Sequence, residues 1–274
     1  MNLLLFCCKT LLSSPFCSCM GFAPVLCFCY NAAVRWCPMM KQLLFRLAKS
    51  PGMGRLVGWS FRWCSWVLPV KKVYRTEKML AFEHPRPAYA DHIILSPRAA
   101  VSDLLALGEE KNRGYLPELW RTVETLAANR PEYRQGFTVA ANGGKRQEVG
   151  QVHFHLFTGY SLVSKDPAAG QEGPVLFTDA AVCIRRHPSP EWAFHFVVQP
   201  ASAAVGYDQT GVPAPMTEAY LQAIPKAISQ LQDRYDLAEK GYSLVYRQSS
   251  NSQTALPIFH LIAGPKKAKP EQRQ

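Results

Sequence analysis

Two stretches of this chain repeat one another at a constant spacing, and no other feature constrains the fold as tightly. Ala81-Phe82-Glu83-His84-Pro85-Arg86-Pro87, then His92-Ile93-Ile94-Leu95-Ser96-Pro97, is echoed by Ile184-Arg185-Arg186-His187-Pro188-Ser189-Pro190 and His195-Phe196-Val197-Val198-Gln199-Pro200. His84 and His187, His92 and His195, and Pro97 and Pro200 each stand 103 positions apart. Further along, Gly136-Phe137-Thr138-Val139 is echoed by Gly241-Tyr242-Ser243-Leu244, and residues 154–159 by residues 259–264, both at a spacing of 105. One small insertion between the two blocks accounts for the drift, so the sequence predicts an internal duplication. Each unit reads as a strand ending at a His-Pro turn and a second strand stopping at proline. Helical material follows, in Ala99–Leu107 with Leu116–Ala128 and in Met216–Tyr235, and two more strands complete the unit. The segment Gly170–Pro174 is the expected join, which divides the globular part into residues 77–169 and 170–274 and makes its class α+β.

What precedes residue 77 is different in kind. The net charge of +11 suggests nucleic acid until its distribution is examined. Residues 1–80 carry eleven Lys or Arg and one acid, Glu77, leaving twenty basic and nineteen acidic groups in the rest. Cysteine is equally lopsided: eight of nine precede residue 65, and only Cys183 lies in the repeats. A disulfide-stapled domain spreads its cysteines through its own core, so the body reads as a protein of a reducing, cytoplasmic compartment. Residues 1–38 are apolar and broken by Pro15, Pro24 and Pro38. They read as a leader or anchor, or as sequence upstream of a start at Met39 or Met40. Residues 39–76 form a basic, aromatic arm in which Trp59, Trp63 and Trp66 share one helical face. That stripe suits a membrane surface, through residues 41–74, or packing on the globular body. Nucleic acid is not an expected partner, because the arm is aromatic rather than densely basic.

The candidate chemistry lies in Gln151-Val152-His153-Phe154-His155-Leu156-Phe157. Read as a strand, it turns Gln151, His153, His155 and Phe157 to one face and Val152, Phe154 and Leu156 to the other. Two imidazoles and a carboxamide in a row, about 7 Å apart, can address one phosphate: a neutral imidazole attacks while its neighbours hydrogen-bond to oxygens. The turn Asn142-Gly143-Gly144-Lys145-Arg146-Gln147 adds backbone donors and two cations. The two Cys-x-Cys pairs at 17–19 and 27–29 lack the partners of a zinc set, and neither a metal nor a cofactor is expected.

These residues resemble the histidine-triad (HIT) superfamily of nucleotide hydrolases and transferases, whose motif is His-φ-His-φ-His-φ-φ with φ apolar. The resemblance covers roughly residues 80–159, with the Gly-Gly lead-in before Gln147-Glu148-Val149, and in weaker form 178–264. It implies that His153 is the nucleophile forming a nucleotidyl-imidazole, that His155 contacts phosphate, and that His92, Asn142 and Gln147 contact the nucleotide. Gln151 stands where the family has its first histidine; it hydrogen-bonds but cannot titrate. In the second unit Leu256, Ile258 and His260 take the places of Gln151, His153 and His155, so the nucleophile is absent there. Single-repeat members pair through a continuous sheet, and the galactose-1-phosphate uridylyltransferase branch builds such a pair within one chain. The resemblance therefore implies a HIT-like antiparallel sheet with helices, duplicated as an intrachain pseudo-dimer with one working site, in a monomer. His84 and His187 are expected to be turn residues, and His195 a structural one.

Overall fold

Alternation of side chains explains why β2 (Met79–Glu83) can be buried on both faces: Met79 and Ala81 join one apolar cluster, Leu80 and Phe82 another. The computed structural model describes residues 70–163, 167, 172–201, 216–249 and 257–267. The leader and most of the aromatic arm, with the Trp59, Trp63 and Trp66 stripe, lie outside the described residues, as do the first two residues of the join, 170–171. No helix among the described residues is long and apolar enough to cross a membrane.

The strands are β1 (Lys72–Arg75), β2, β3 (Ala90–Pro97), β4 (Gly136–Gly143), β5 (Phe154–Thr158), β6 (Val175–Thr178), β7 (Val182–Arg186), β8 (Trp192–Pro200), β9 (Tyr242–Ser249) and β10 (Phe259–Lys266). They form one ten-stranded sheet in the order β1-β2-β3-β5-β4-β9-β10-β8-β7-β6, with every neighbouring pair antiparallel. The order reads the same from either edge when β1 to β5 are matched with β6 to β10. Its centre is the β4–β9 pairing, which runs from Gly136 opposite Ser249 to Gly143 opposite Tyr242.

Among the described residues, two amphipathic helices cover one face. Helix α1 (Tyr115–Asn129) buries Leu116, Leu119, Trp120, Val123 and Leu126, at the three-and-four spacing of one helical face. Helix α2 (Glu218–Tyr235) buries Tyr220, Leu221, Ile224, Ala227, Ile228 and Leu231; its first turn is capped by Thr217, whose hydroxyl accepts the Tyr220 N–H at 3.2 Å. A short α3 (Leu237–Lys240) follows, after Asp236 in the left-handed region. With Ile93, Leu95, Val139, Phe154 and Leu156 from one half and Ile184, Val198, Leu244 and Leu261 from the other, these helices form one continuous core. The expected helical stretch at Ala99–Leu107 is instead two 3-10 turns, Leu105–Gly108 and Glu110–Asn112. Backbone groups there are spent elsewhere: Val101 N–H goes to the Gln151 side chain and Val101 C=O receives Val152 N–H.

The opposite sheet face carries the histidines. His92 and Ile94 of β3, and His155 and Phe157 of β5, project there, because Ile93, Leu95, Phe154 and Leu156 face the helices.

Candidate functional site

The strand predicted over Gln151–Phe157 begins only at Phe154. Gln151 to His153 run up to it outside the strand, because hydrogen bonds of Gln151 and Val152 go sideways to the 97–101 segment rather than into the ladder. Val152 N–H donates to Val101 C=O at 2.8 Å. The Gln151 carboxamide is saturated: its nitrogen donates to Pro97 O at 3.1 Å and Ala99 O at 2.9 Å, and its oxygen accepts Val101 N–H at 3.2 Å. Gln151 is buried, and all three described partners are backbone. It acts as a brace.

His153 is turned by the same device. Its Nδ1 lies 2.9 Å from the Gln151 carbonyl oxygen. A carbonyl only accepts, so Nδ1 carries the proton and Nε2 keeps its lone pair. Burial pushes the His153 imidazole below its ordinary range, so the ring is neutral near pH 7. This is the protonation state that a nucleophile needs.

Beside it lies a cluster of three further imidazoles. His92 Nε2 and His155 Nδ1 are 2.9 Å apart, His84 stacks on His92 at 4.2 Å with the rings 12° from parallel, and the His155 ring sits 5.0 Å from that of His153. The C-terminal half repeats the cluster. There His187 stacks on His195 at 4.1 Å, and His195 Nε2 lies 3.0 Å from His260 Nδ1. Each set has nitrogens within 4.8 Å of one another, close enough to suggest a metal site.

Proton placement works against a cation. His84 Nδ1 accepts Arg86 N–H at 3.0 Å, His187 Nδ1 accepts Ser189 N–H at 3.1 Å, and His195 Nδ1 accepts Glu191 N–H at 3.2 Å. A neutral imidazole that accepts at Nδ1 carries its proton on Nε2, whereas a metal-bound histidine donates through the nitrogen that does not bind metal. In the second cluster His195 therefore donates from Nε2 to His260 Nδ1. In the first, a single proton bridges His92 Nε2 and His155 Nδ1 across 2.9 Å, and no backbone N–H reaches His92 Nδ1 to fix which ring donates it. His84 then offers an N–H group and His153 a lone pair, an arrangement that suits phosphorus and its oxygens. All of these rings are held neutral: burial, with neighbouring imidazoles, brings His92 down to about 4 and His155 to about 2, and burial lowers His84.

Asp91 sets the position of His92. It is a non-glycine residue at φ 48°, in the left-handed region that costs an ordinary side chain on the order of 1 kcal/mol. The Thr158 hydroxyl donates to its carboxylate at 2.7 Å, and the buried Tyr133 hydroxyl donates to its carbonyl at 2.6 Å. The β3–β5 register shifts here, which aims His92 at His155. Tyr89, stacked between Phe157 and Tyr160 at 4.1 and 5.4 Å, closes the far side of His92.

Of the residues singled out by sequence, His92, His153 and His155 come together. Asn142, at the end of β4, and Gln147, just after the lead-in turn, have their amides engaged: Gln147 donates to Ser102 O at 2.5 Å and Val149 O at 2.8 Å, and Asn142 accepts from the Ser243 hydroxyl at 2.7 Å. His84 was expected to be only a turn residue. It does make the turn, through Nδ1, and it also stands in the cluster. Its recurrence as His187 at the same spacing as His92 and His195 was the available signal.

Comparison with known proteins agrees with this geometry. The HIT domain family model matches residues 66–162. An uncharacterized 13.2 kDa HIT-like protein of Azospirillum brasilense is 31% identical over 97 residues, covering 35% of this chain and 80% of the relative. An uncharacterized HIT-like protein of Buchnera aphidicola subsp. Acyrthosiphon pisum is 27% identical over 101 residues, 35% of this chain and 86% of that protein. Among solved structures, an ADP-glucose phosphorylase from Arabidopsis thaliana with bound ADP-glucose superposes with a TM-score of 0.50 at 10% identity, covering 77% of this chain and 81% of that one. A histidine triad protein from Clostridium difficile covers 39% of this chain and 93% of its own, at 24% identity and a TM-score of 0.35. The α+β antiparallel sheet with helices is thus a HIT-like fold.

Proposed function

Because the chain belongs to the HIT domain family, we propose that it is a nucleotide hydrolase or nucleotidyltransferase in which His153 is the nucleophile. The observation that carries this reading is a neutral His153 with its Nδ1 proton on the Gln151 carbonyl, its ring 5.0 Å from that of His155, beside the N–H donor of neutral His84. His153 Nε2 attacks the phosphorus that bears the nucleoside. The N–P bond forms, the bond to the leaving group breaks, and the leaving group departs with the electron pair. Water or an acceptor hydroxyl then displaces the imidazole, losing its proton to solvent and restoring the Nε2 lone pair. Donors aimed at the phosphoryl oxygens stabilise both steps without titrating. His92 orients His155, and Asn142 and Gln147 hold the lead-in turn beside the nucleotide.

Gln151 narrows the substrate. It has no proton to give, and general acid catalysis is typically worth about 10²–10⁴-fold. A phosphate leaving group, with a second pKa of about 6, departs as an anion without help, whereas an amine does not. Nucleoside phosphoanhydrides are therefore the favoured class over phosphoramidates. Purified protein should release a nucleoside monophosphate from such an anhydride, and His153→Ala should remove that activity; an unimpaired variant would refute the assignment. The saturated Gln151 carboxamide favours a second reading, a nucleotide-binding protein with little turnover, for which the result to seek is tight mononucleotide binding and no adduct on His153.

We also read the two halves as a duplicated unit acting as a pseudo-dimer within one chain. Ala140 pairs with Val245 across the central strands, and the same two residues are equivalent at the repeat spacing of 105, so the twofold passes between them. The twin histidine clusters support this, and Ile258 in the nucleophile's place leaves one working site. Cys183, free and buried, fits the reducing, cytoplasmic setting read from the sequence.

A further inference from the structure

The C-terminal half has no nucleophile, yet it grips the lead-in to the nucleophile residue by residue. Asn142 accepts from the Ser243 hydroxyl at 2.7 Å. Gly143 lies so close to the Tyr242 ring that a Cβ there would overlap it, and Gly144, at φ +56°, lies equally close to the Ala238 backbone. Lys145 pairs with Glu239. Arg146 reaches furthest: its Nη2 donates to Gly264 O at 2.6 Å, its Nη1 to the Ser243 hydroxyl at 3.3 Å and towards Ile262 O at 3.5 Å, and its guanidinium lies over the Trp192 ring at 5.0 Å. Five consecutive residues thus touch the other half, and Gln147 then turns back to Ser102.

This changes what the Gly-Gly-Lys-Arg turn is for. Its glycines permit close approach of the C-terminal half, and its guanidinium is held by carbonyls and an indole rather than left for a phosphate. Arg146 is the strongest of the five holds. Lys145 and Glu239 are both largely exposed, a setting in which an ion pair contributes roughly 0–1 kcal/mol. Arg146 is half-buried, and a charge-assisted bond at 2.6 Å is about twice as strong as a neutral one. At the equivalent position of the repeat the sequence has Asn251 in place of an arginine.

We propose that Arg146 is a positioning residue through which the degenerate half fixes the lead-in, and so the aim of His153. The proposal rests on His153 chemistry as read above. None of the contacts described for Arg146 is with an imidazole, so its effect travels along residues 147–153, which are pinned at Gln147 and Gln151. Misplacing a reacting group by about 1 Å can cost on the order of 10²-fold in rate.

The test uses the full chain carrying Arg146→Gln, Trp192→Leu and both together, with Arg146→Lys for comparison. Turnover of a nucleoside phosphoanhydride should show kcat reduced about 10–100-fold by Arg146→Gln, with KM within about twofold. Trp192→Leu should act the same way, and the double variant should lose little more, as coupled residues do. Arg146→Lys should recover only part of the rate, because an ammonium cannot span two carbonyls and stack. A wild-type kcat in Arg146→Gln, or losses that add across the pair and track the urea midpoint, would overturn the proposal. Imidazole NMR separates this outcome from failure of the hydrolase reading, since it needs no turnover. Arg146→Gln should move the His153 ring resonances and leave those of His187 unchanged; an unmoved His153 would likewise overturn it.

Discussion

Moving this protein from about pH 7 to about pH 5 should remove a large part of its folding free energy. An unfolded imidazole titrates near 6.5, whereas in the folded chain His92 is lowered to about 4, and His155 and His195 to about 2, each chiefly by burial. Between those values and 6.5 the unfolded chain binds protons that the folded one refuses. Stability is therefore complete above the unfolded value and falls with pH below it. At pH 5 each such ring costs about 2 kcal/mol relative to pH 7. Counting one ring per cluster gives about 4 kcal/mol, and counting all three gives about 6, against total stabilities of about 5–15 kcal/mol. Urea titrations at the two pH values, followed by tryptophan fluorescence with the slope unchanged, read the difference directly. Imidazole NMR should show His155 and His195 still neutral at pH 5. A stability difference below about 1 kcal/mol, or a His155 ring that titrates near 6.5, would refute the buried, neutral clusters on which the site's chemistry depends.

Three further outcomes follow from the same geometry. Gly143→Ala should destabilise the fold by about 1–3 kcal/mol, as overpacking does, because the added Cβ meets the Tyr242 ring; an unchanged urea midpoint would contradict the close approach. Tyr133→Phe removes the hydroxyl that holds the Asp91 carbonyl, and should lower kcat by about threefold to tenfold at a stability cost of about 1 kcal/mol, which steady-state kinetics beside urea titration would check. A nucleoside phosphoanhydride should outpace the matching phosphoramidate by at least about 10²-fold, since Gln151 supplies no proton; equal rates would show that another group acts as the acid.

The α+β antiparallel sheet is legible in the strand and turn signals of the sequence. His84 with His187 and His92 with His195 place the same hairpin twice, and the strand order of the sheet follows that correspondence from both edges. The alternation through residues 152–156 correctly turned Val152, Phe154 and Leu156 to the core. It failed at Gln151, because alternation describes side chains in a ladder, and Gln151 leaves the ladder to bind the 97–101 backbone. The role of the Gly-Gly turn was illegible for a related reason: the need for glycine arises from Tyr242 and Ala238, about a hundred residues away in sequence. The Pro85 neighbour of His84 announces a turn. That the His84 ring also stacks on His92 depends on β2 and β3 lying side by side, which a single strand's pattern does not contain.

The central claim is that His153 takes up the nucleotidyl group. Mixing the protein with a nucleoside phosphoanhydride labelled at the α-phosphorus, quenching rapidly in denaturant at alkaline pH and mapping peptides by mass spectrometry measures this directly. One nucleotidyl adduct is expected, on the peptide carrying His153, absent from His153→Ala and from the peptide carrying Ile258 and His260. Turnover without any adduct on His153, or an adduct on another histidine, would contradict it.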